Sequence, residues 1–315
     1  MKPVIPFVPE ANSHEQEVWQ RDLAKALEAF AHVKHVSDLT DEDRLNAKVA
    51  IVANPNPADV AALPNLVWVQ SLWAGVERLM TELPAGGPLI VRLADPQMAE
   101  TMSEAVVAWT LYLHRDMPRY MMQQRQAVWQ EHFLKTPAER TIGVLGLGNL
   151  GSASAQRLVA NGFKVLGWSR SEKNLDGIEC FGGPEGLTRV LEQSDILVVL
   201  TPLTTETRGM LGAAAFQKCK RGAALINFAR GPIVDTGALL AALDQGHLSH
   251  AVLDVFDEEP LPTQSPLWHH DKITVLPHIS APTITSTASK IVADHIHQYL
   301  TEGAIPHHVD RNRGY

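Results

Sequence analysis

Apolar positions along the chain fall into short runs of strand length separated by helical patterns, and this alternation persists almost from end to end. Residues 4–8 read as a strand, and Val18, Leu23, Ala26, Leu27 and Phe30 share one face of a following helix. Further strands are expected at 47–52, 66–70 and 89–91, with a helix over 76–83 and Pro55, Pro57 and Pro64 breaking the intervals. From Gln97 to about Gln126 glycine disappears, Pro118 is the only proline, and Met98, Met102, Ala105, Val106, Trp109, Leu113 and Met117 recur near helical spacing. One long helix is predicted there. It is either a core element or a connector between domains that offers its aromatic and methionine side chains to a partner subunit. Beyond residue 140 the rhythm is regular: strands at 142–145, 163–168, 196–200, 224–228, 251–255 and 273–276, helices such as 186–193 and 237–245, and a last helix over 284–300. Such alternation predicts a small parallel α/β unit followed by a six-stranded, doubly wound parallel sheet.

Composition narrows the possibilities. A chain of 315 residues fits about two domains, and 45% hydrophobic with 20% charged residues is ordinary for a globular protein. No apolar run approaches the ~18 residues of a membrane span. The apolar N-terminus lacks a small-residue cleavage site and reads as a first strand. A net charge of −8 argues against nucleic acid as a partner. The two cysteines, Cys180 and Cys219, have no metal-type spacing and suit a reducing, cytoplasmic compartment. Fourteen histidines include the doublets His269-His270 and His307-His308, but no HExxH occurs. They read as solvated groups, and no metal is expected.

The strand expected at 142–145 runs into Gly146-Leu-Gly148-Asn149-Leu150-Gly151, and a helix follows as far as Asn161. Strand, glycine turn, helix and second strand together make a dinucleotide-binding pattern. Gly146 permits the tight turn, Gly148 lets the backbone approach a pyrophosphate, and Gly151 allows helix and strand to pack closely. Free N–H groups at the helix start, on Asn149 and Leu150, would meet the phosphates. The next strand ends Trp168-Ser169-Arg170-Ser171-Glu172-Lys173. An acid selective for an unphosphorylated ribose is expected there, yet Ser169 holds the position. A hydroxyl, a guanidinium and a nearby ammonium would bind a 2′-phosphate, so NADP(H) is expected over NAD(H). The alternative is a solvated basic turn, with Glu172 diluting the charge.

Three later strands each end beside an ionisable group: Arg230 after Leu225–Ala229, Glu259 after Leu253–Glu258, and His278 after Val275–Pro277. In a doubly wound sheet these ends line one crevice next to the nucleotide. Singly each could be structural; jointly they suggest catalysis.

The glycine run, Asn227-Phe-Ala-Arg230-Gly-Pro-Ile-Val-Asp235, the stretch 253–262 and Pro277-His278 resemble the D-isomer-specific 2-hydroxyacid dehydrogenases, over nearly the whole chain. The resemblance implies two α/β domains. A doubly wound (Rossmann) nucleotide domain, residues 101–281 with an N-terminal hinge and dimerisation helix, would be inserted into a smaller flavodoxin-like catalytic domain, residues 1–100 plus 282–315. It also implies an oxidoreductase, and a homodimer. The segments Trp168–Arg170, Ser265-Pro-Leu-Trp268 and Val309–Tyr315 look like the family's reductases of small substrates. The expected reaction is therefore NADPH-dependent reduction of a small 2-keto acid, glyoxylate to glycolate or hydroxypyruvate to D-glycerate. His278 would be the general acid, Glu259 its partner in preference to Glu258, and Arg230 the group that binds and polarises the substrate. Thr201, Pro202, Leu203 and Thr207 match the stretch beside the adenosine, Asn227, Phe228 and Ala229 the backing of the nicotinamide, and Asp254 the residue near its carboxamide. Trp73, Ala74 and Gly75 match the loop whose backbone N–H groups grip the substrate carboxylate, with His278 and Arg230 completing the substrate site; simple packing is an equal account of Trp73. Two alternatives remain: a dehydrogenase of the same family acting on a bulkier keto acid, or a dinucleotide-sensing binding protein on the same fold.

Overall fold

The structure is a computed structural model that describes residues 2–10 and 15–311. The last four residues of the tail quoted above, 312–315, lie outside the described residues. The chain divides into two compact units, residues 1–97 with 283–315 and residues 98–282.

The first unit contains β1 (Val4–Pro9), α1 (Gln16–Leu27), β2 (His32–His35), α2 (Asp41–Asn46), β3 (Val49–Ala53), α3 (Pro57–Ala61), β4 (Trp68–Ser71), α4 (Glu77–Glu82) and β5 (Leu89–Val91), and it ends with the C-terminal helix Thr285–Glu302. Its strands are all parallel in the order β2-β1-β3-β4-β5, the flavodoxin-like arrangement. Every residue of β3 is buried. Val49, Ile51 and Ala53 pack with Trp19 and Leu23 of α1 and with Val292 and Ile296 of the C-terminal helix, while Ala50 and Val52 face Val60, Leu79 and Val309. Burial on both faces explains why such a strand reads as an unbroken apolar run. β2 escapes the pattern because it lies at the sheet edge, where His-Val-Lys-His presents charge and no apolar run.

The second unit comprises α5 (Pro96–His114, whose first two residues belong to the first unit), α6 (Met117–Arg125), β6 (Thr141–Leu145), α7 (Asn149–Ala160), β7 (Lys164–Ser169), β8 (Glu179–Gly182), α8 (Gly183–Gln193), β9 (Ile196–Val199), α9 (Ala213–Lys218), β10 (Ala223–Asn227), α10 (Thr236–Asp244), β11 (Leu248–Leu253) and β12 (Ile273–Val275). The parallel sheet runs β12-β11-β10-β9-β6-β7-β8, so the chain reverses direction across the sheet between β6 and β9. The expected α/β class and doubly wound sheet are both present. Two details differ. The sheet has seven strands where the pattern predicts six; the addition, β8, is a short half-exposed edge strand rich in neither β-branched nor aliphatic residues. The long helix of 97–126 is two helices, because Asp116 adopts a left-handed conformation (φ 53°) and Pro118 cannot extend the ladder from α5. No helix among the described residues is long and apolar enough to cross a membrane.

Candidate active site

The switch point of the larger sheet is also where the glycine turn lies. Gly146 follows β6 with φ 102°, and its N–H donates to the Trp168 carbonyl at 2.7 Å, tying the turn to β7. A Cβ at Gly146 would lie 2.6 Å from the Thr201 nitrogen, and one at Gly151 would overlap the Gly146 carbonyl. Turn, helix and β9 are thus packed backbone to backbone. Gly148 is different: a Cβ there would meet no protein atom within 4 Å, which is the clearance a ligand needs. The first turn of α7, through Asn149, Leu150 and Gly151, supplies N–H groups that have no partner in the preceding turn. Thr201, next to Gly146, is buried with its Oγ1 unpaired among the described residues.

Beyond β7 the basic segment is partly committed to protein. Lys173 Nζ donates to the Leu147 carbonyl at 2.6 Å, joined there by Ser152 Oγ at 3.0 Å, so the ammonium sits against the glycine turn. Ser169 Oγ donates to the Ser171 carbonyl at 2.7 Å. Arg170 lies near Glu206, whose carboxyl is held below its usual range by the Thr204 hydroxyl, by a backbone bond and by the Arg170 charge. Two residues expected at the cofactor have side chains bonded within the protein. Trp168 is buried and its indole donates to the Gly183 carbonyl at 2.7 Å. Thr207 Oγ1 accepts from the Thr204 N–H at 2.8 Å and donates to the Pro202 carbonyl at 2.7 Å, closing the turn that carries Leu203.

The ionisable groups come from the ends of β10, β11 and β12. Asn227 shapes the first of these ends: its amide donates to the Arg230 carbonyl at 3.1 Å and accepts from the Ala229 N–H at 3.2 Å, beside buried Phe228. Arg230 donates from a guanidinium nitrogen to the Ala229 carbonyl at 2.6 Å. Gly231 then packs directly on Phe256; any Cβ would overlap the Phe256 carbonyl. That close approach sets the Arg230 turn against the loop bearing Glu259. Glu259 is fixed at both oxygens: Oε1 accepts from the Phe256 N–H at 2.9 Å, and Oε2 lies 2.7 Å from His278 Nδ1. Between Glu258 and Glu259, only the latter makes this bond. His278 has φ 55°, an uncommon backbone conformation for histidine. Buried Asp254 braces it, accepting from the Ile279 N–H at 2.7 Å and the Ser280 N–H at 2.9 Å. Both Asp254 oxygens are thus occupied by the His278 loop, an assignment that the position beside a carboxamide did not foresee.

Electrostatics follow from this geometry. The bond to Glu259 lifts the His278 pKa above its ordinary value against the effect of burial, and the charges of Glu259 and Asp254 add to the rise while Arg230 opposes it. Burial raises the Glu259 carboxyl, but the bonds from His278 and the Phe256 N–H, with the charges of His278 and Arg230, outweigh it and leave the pKa low. Because a carboxylate accepts at Nδ1, that nitrogen carries a proton in either state, and the exchangeable proton is on Nε2. The His278 side chain is 53% exposed, so this nitrogen is reachable by a ligand.

The profile described as "D-isomer specific 2-hydroxyacid dehydrogenase, NAD binding domain" matches residues 107–280. A glyoxylate/hydroxypyruvate reductase A of Yersinia enterocolitica is 39% identical over 281 residues, covering 87% of this chain and 89% of the relative. The chain belongs to the D-isomer-specific 2-hydroxyacid dehydrogenases. A solved member from Xanthobacter autotrophicus Py2, in complex with NADPH and MES, superposes with a TM-score of 0.91 at 38% identity over the full length of both chains. An NADPH-dependent glyoxylate/hydroxypyruvate reductase of Sinorhizobium meliloti, in complex with NADP and sulfate, gives 0.91 at 30% identity, again over both full lengths.

In this dehydrogenase the loop expected to grip a carboxylate follows β4. Trp73 packs edge-to-face on Trp19 at 5.9 Å between ring centroids, and its backbone N–H donates to Ser71 Oγ at 3.0 Å. The N–H groups of Ala74, Gly75 and Val76 bond nothing among the described residues. Packing therefore accounts for the Trp73 ring, and the free amides begin one residue later. Sequence reasoning missed Gly231 as the residue joining two site loops, and Ser280, buried with an unpaired Oγ beside Asp254. The only signal for either was its place directly after Arg230 or close after His278. Among the described residues no group of three or more His, Cys, Asp or Glu could hold a metal ion.

Proposed function

We propose that this dehydrogenase reduces small 2-keto acids with NADPH, glyoxylate to glycolate and hydroxypyruvate to D-glycerate. The Glu259–His278 pair at 2.7 Å carries the proposal, because it supplies a protonated imidazole at a strand end of the nucleotide-binding sheet. The open side of Gly148 and the unpaired Thr201 hydroxyl fit a dinucleotide on the glycine turn. NADPH bound there would supply the hydride that substrate C2 receives. Gly146, Gly148 and the first turn of α7 would hold the pyrophosphate, and Ser169, Arg170, Ser171 and Lys173 would receive the 2′-phosphate. Thr201, Pro202 and Leu203 would flank the adenosine, and Phe228 and Ala229 would back the nicotinamide. Thr207 and Trp168 shape these segments, and Asp254 acts through the His278 loop.

His278 gives the Nε2 proton to the carbonyl oxygen as C2 becomes tetrahedral, and Glu259 stabilises the imidazolium until that moment. Arg230 attracts the substrate carboxylate and the charge developing on oxygen. The amides of Ala74 and Gly75 bind the carboxylate. With only two cysteines, the chain suits a reducing, cytoplasmic setting. We also propose a homodimer, because Trp129 and Phe133, just beyond α6, are 97% and 91% exposed, an unusual cost for a monomer. Sedimentation at micromolar concentration should give twice the 34.5 kDa chain mass. For the reaction, steady-state kinetics on glyoxylate, hydroxypyruvate, pyruvate and phenylpyruvate, each with NADH and NADPH, is the test. Highest kcat/KM for glyoxylate and hydroxypyruvate with NADPH is expected; preference for phenylpyruvate, or tight NADPH binding without turnover, would refute it.

A further inference from the structure

The loop after β4 is tied to the C-terminal helix by a chain of hydrogen bonds that passes through a fully buried amide. Gln70, in β4, has no exposed surface. A polar side chain in such a place costs free energy unless its groups are paired. Its Oε1 lies 2.9 Å from His295 Nδ1, and its Nε2 donates to the Ser71 carbonyl at 2.9 Å, with a longer contact of 3.5 Å to the Val91 carbonyl. Two carbonyls can only accept, so the amide nitrogen faces them and the amide oxygen faces the histidine. His295 must then donate from Nδ1. Burial favours its neutral form and holds its pKa below the ordinary value. From Ser71 the chain continues through Oγ to the Trp73 N–H at 3.0 Å, and the Leu93 N–H holds the Trp73 carbonyl at 3.1 Å. Every link lies within one unit.

We propose that Gln70 and His295 are positioning residues for the Trp73–Val76 loop and set how well its amides hold a substrate carboxylate. The proposal rests on the assignment of that loop as the carboxylate grip. The amides of Ala74, Gly75 and Val76 bond nothing else among the described residues, so on their N-terminal side their direction is inherited from the peptides that Gln70 and Ser71 fix. A donor on the Ser71 carbonyl holds the Ser71–Leu72 peptide plane, and Ser71 Oγ holds the next amide but one. Binding gains from amides already directed, because no ordering remains to be done when the anion arrives.

Gln70→Met, His295→Leu and the double variant separate this role from plain packing. With glyoxylate and NADPH, Gln70→Met should raise the glyoxylate KM roughly tenfold, within the range expected for a small misplacement of a binding group. The change in kcat and in NADPH KM should stay within about twofold. The double variant leaves neither member of the Gln70–His295 pair facing a lost partner and should regain part of the melting temperature lost by Gln70→Met. Its glyoxylate KM should remain high, since the Ser71 carbonyl still lacks its donor. His295→Gln, which keeps a donor, should lie closer to the parent than His295→Leu. If KM recovers together with melting temperature, or does not move in Gln70→Met, the proposal is overturned. Gly75→Val tests the loop directly. Should it raise KM while Gln70→Met does not, only the positioning role fails; should neither raise it, the carboxylate grip fails too.

Discussion

The loop ending β12 and the loop ending β4 both follow the carboxyl end of a parallel strand, but they present opposite chemistry. At β12 the proposed working group is a side chain, His278, and other side chains hold it: Glu259 at the ring and Asp254 at the backbone just beyond. At β4 the candidate working groups are backbone amides, and a buried side chain, Gln70, holds the peptide before them. A titratable group needs charged neighbours to set its proton affinity. A backbone donor has no proton to lose and needs only direction. Mutations should therefore strike the first loop through kcat and pH, and the second through KM alone.

The largest effect is expected from His278→Ala. Loss of the proposed general acid should lower kcat by about 10²–10⁴-fold while NADPH titration gives an unchanged Kd. If turnover survives, the contrast between the loops collapses, because β12 would then carry no chemistry of its own.

Next comes Ser169→Asp, which sets a carboxylate against the ribose phosphate. NADPH kcat/KM should fall by roughly tenfold or more and NADH kcat/KM should rise, as charge opposition predicts. Equal effects on both cofactors would remove the basic segment after β7 from cofactor choice.

Glu259→Gln sharpens the difference in pH response. The raised pKa of His278 keeps the acid form present toward higher pH, so reduction should decline only as pH passes above that pKa. Removing the Glu259 charge lowers the pKa, and the alkaline limb of kcat/KM should shift to lower pH. Gln70→Met should leave that limb where it was. Stability runs in the same sense. Folding raises the His278 pKa, so its contribution is fully present below the unfolded pKa and is lost as pH rises through the folded one, provided Glu259 is ionised. Melting profiles should therefore show the parent's advantage over Glu259→Gln in mild acid and its loss on the alkaline side. An advantage that grows with pH would contradict the pairing.

The smallest effect concerns a residue outside both loops. His250 is buried, burial pushes its pKa down to about 4, and Thr274 Oγ1 lies 2.9 Å from its Nε2. The unfolded ring protonates first as pH falls, so stability should decline from near pH 6.5 toward 4, and His250→Gln should flatten that decline without altering kinetics at pH 7.

Much of the fold is legible in the sequence. Strands buried on both faces, such as β3 and β9, announce themselves as apolar runs, and Gly146–Gly151 sits in its expected strand–turn–helix setting. Edge strands β2 and β8 did not, because half-exposed positions tolerate Lys, His and Glu and so carry no periodic signal. The break between α5 and α6 was signalled by Pro118 but masked by the apolar spacing on either side. Within the candidate site, charged side chains stand out in the sequence because few residue types carry ionisable groups. The β4 loop does not, since almost any residue supplies an N–H. The bonds from Asp254 to the Ile279 and Ser280 amides were not legible either, because no pattern in sequence links that carboxylate to amides that lie beyond β12.

Gly231 has one more implication. With no side chain between it and Phe256, the Arg230 turn and the Glu259 loop share a single clearance. The guanidinium and the acid–base pair are consequently calibrated together, like two jaws cut from one block. Widening that gap by one methyl group should disturb substrate affinity and pH optimum at the same time.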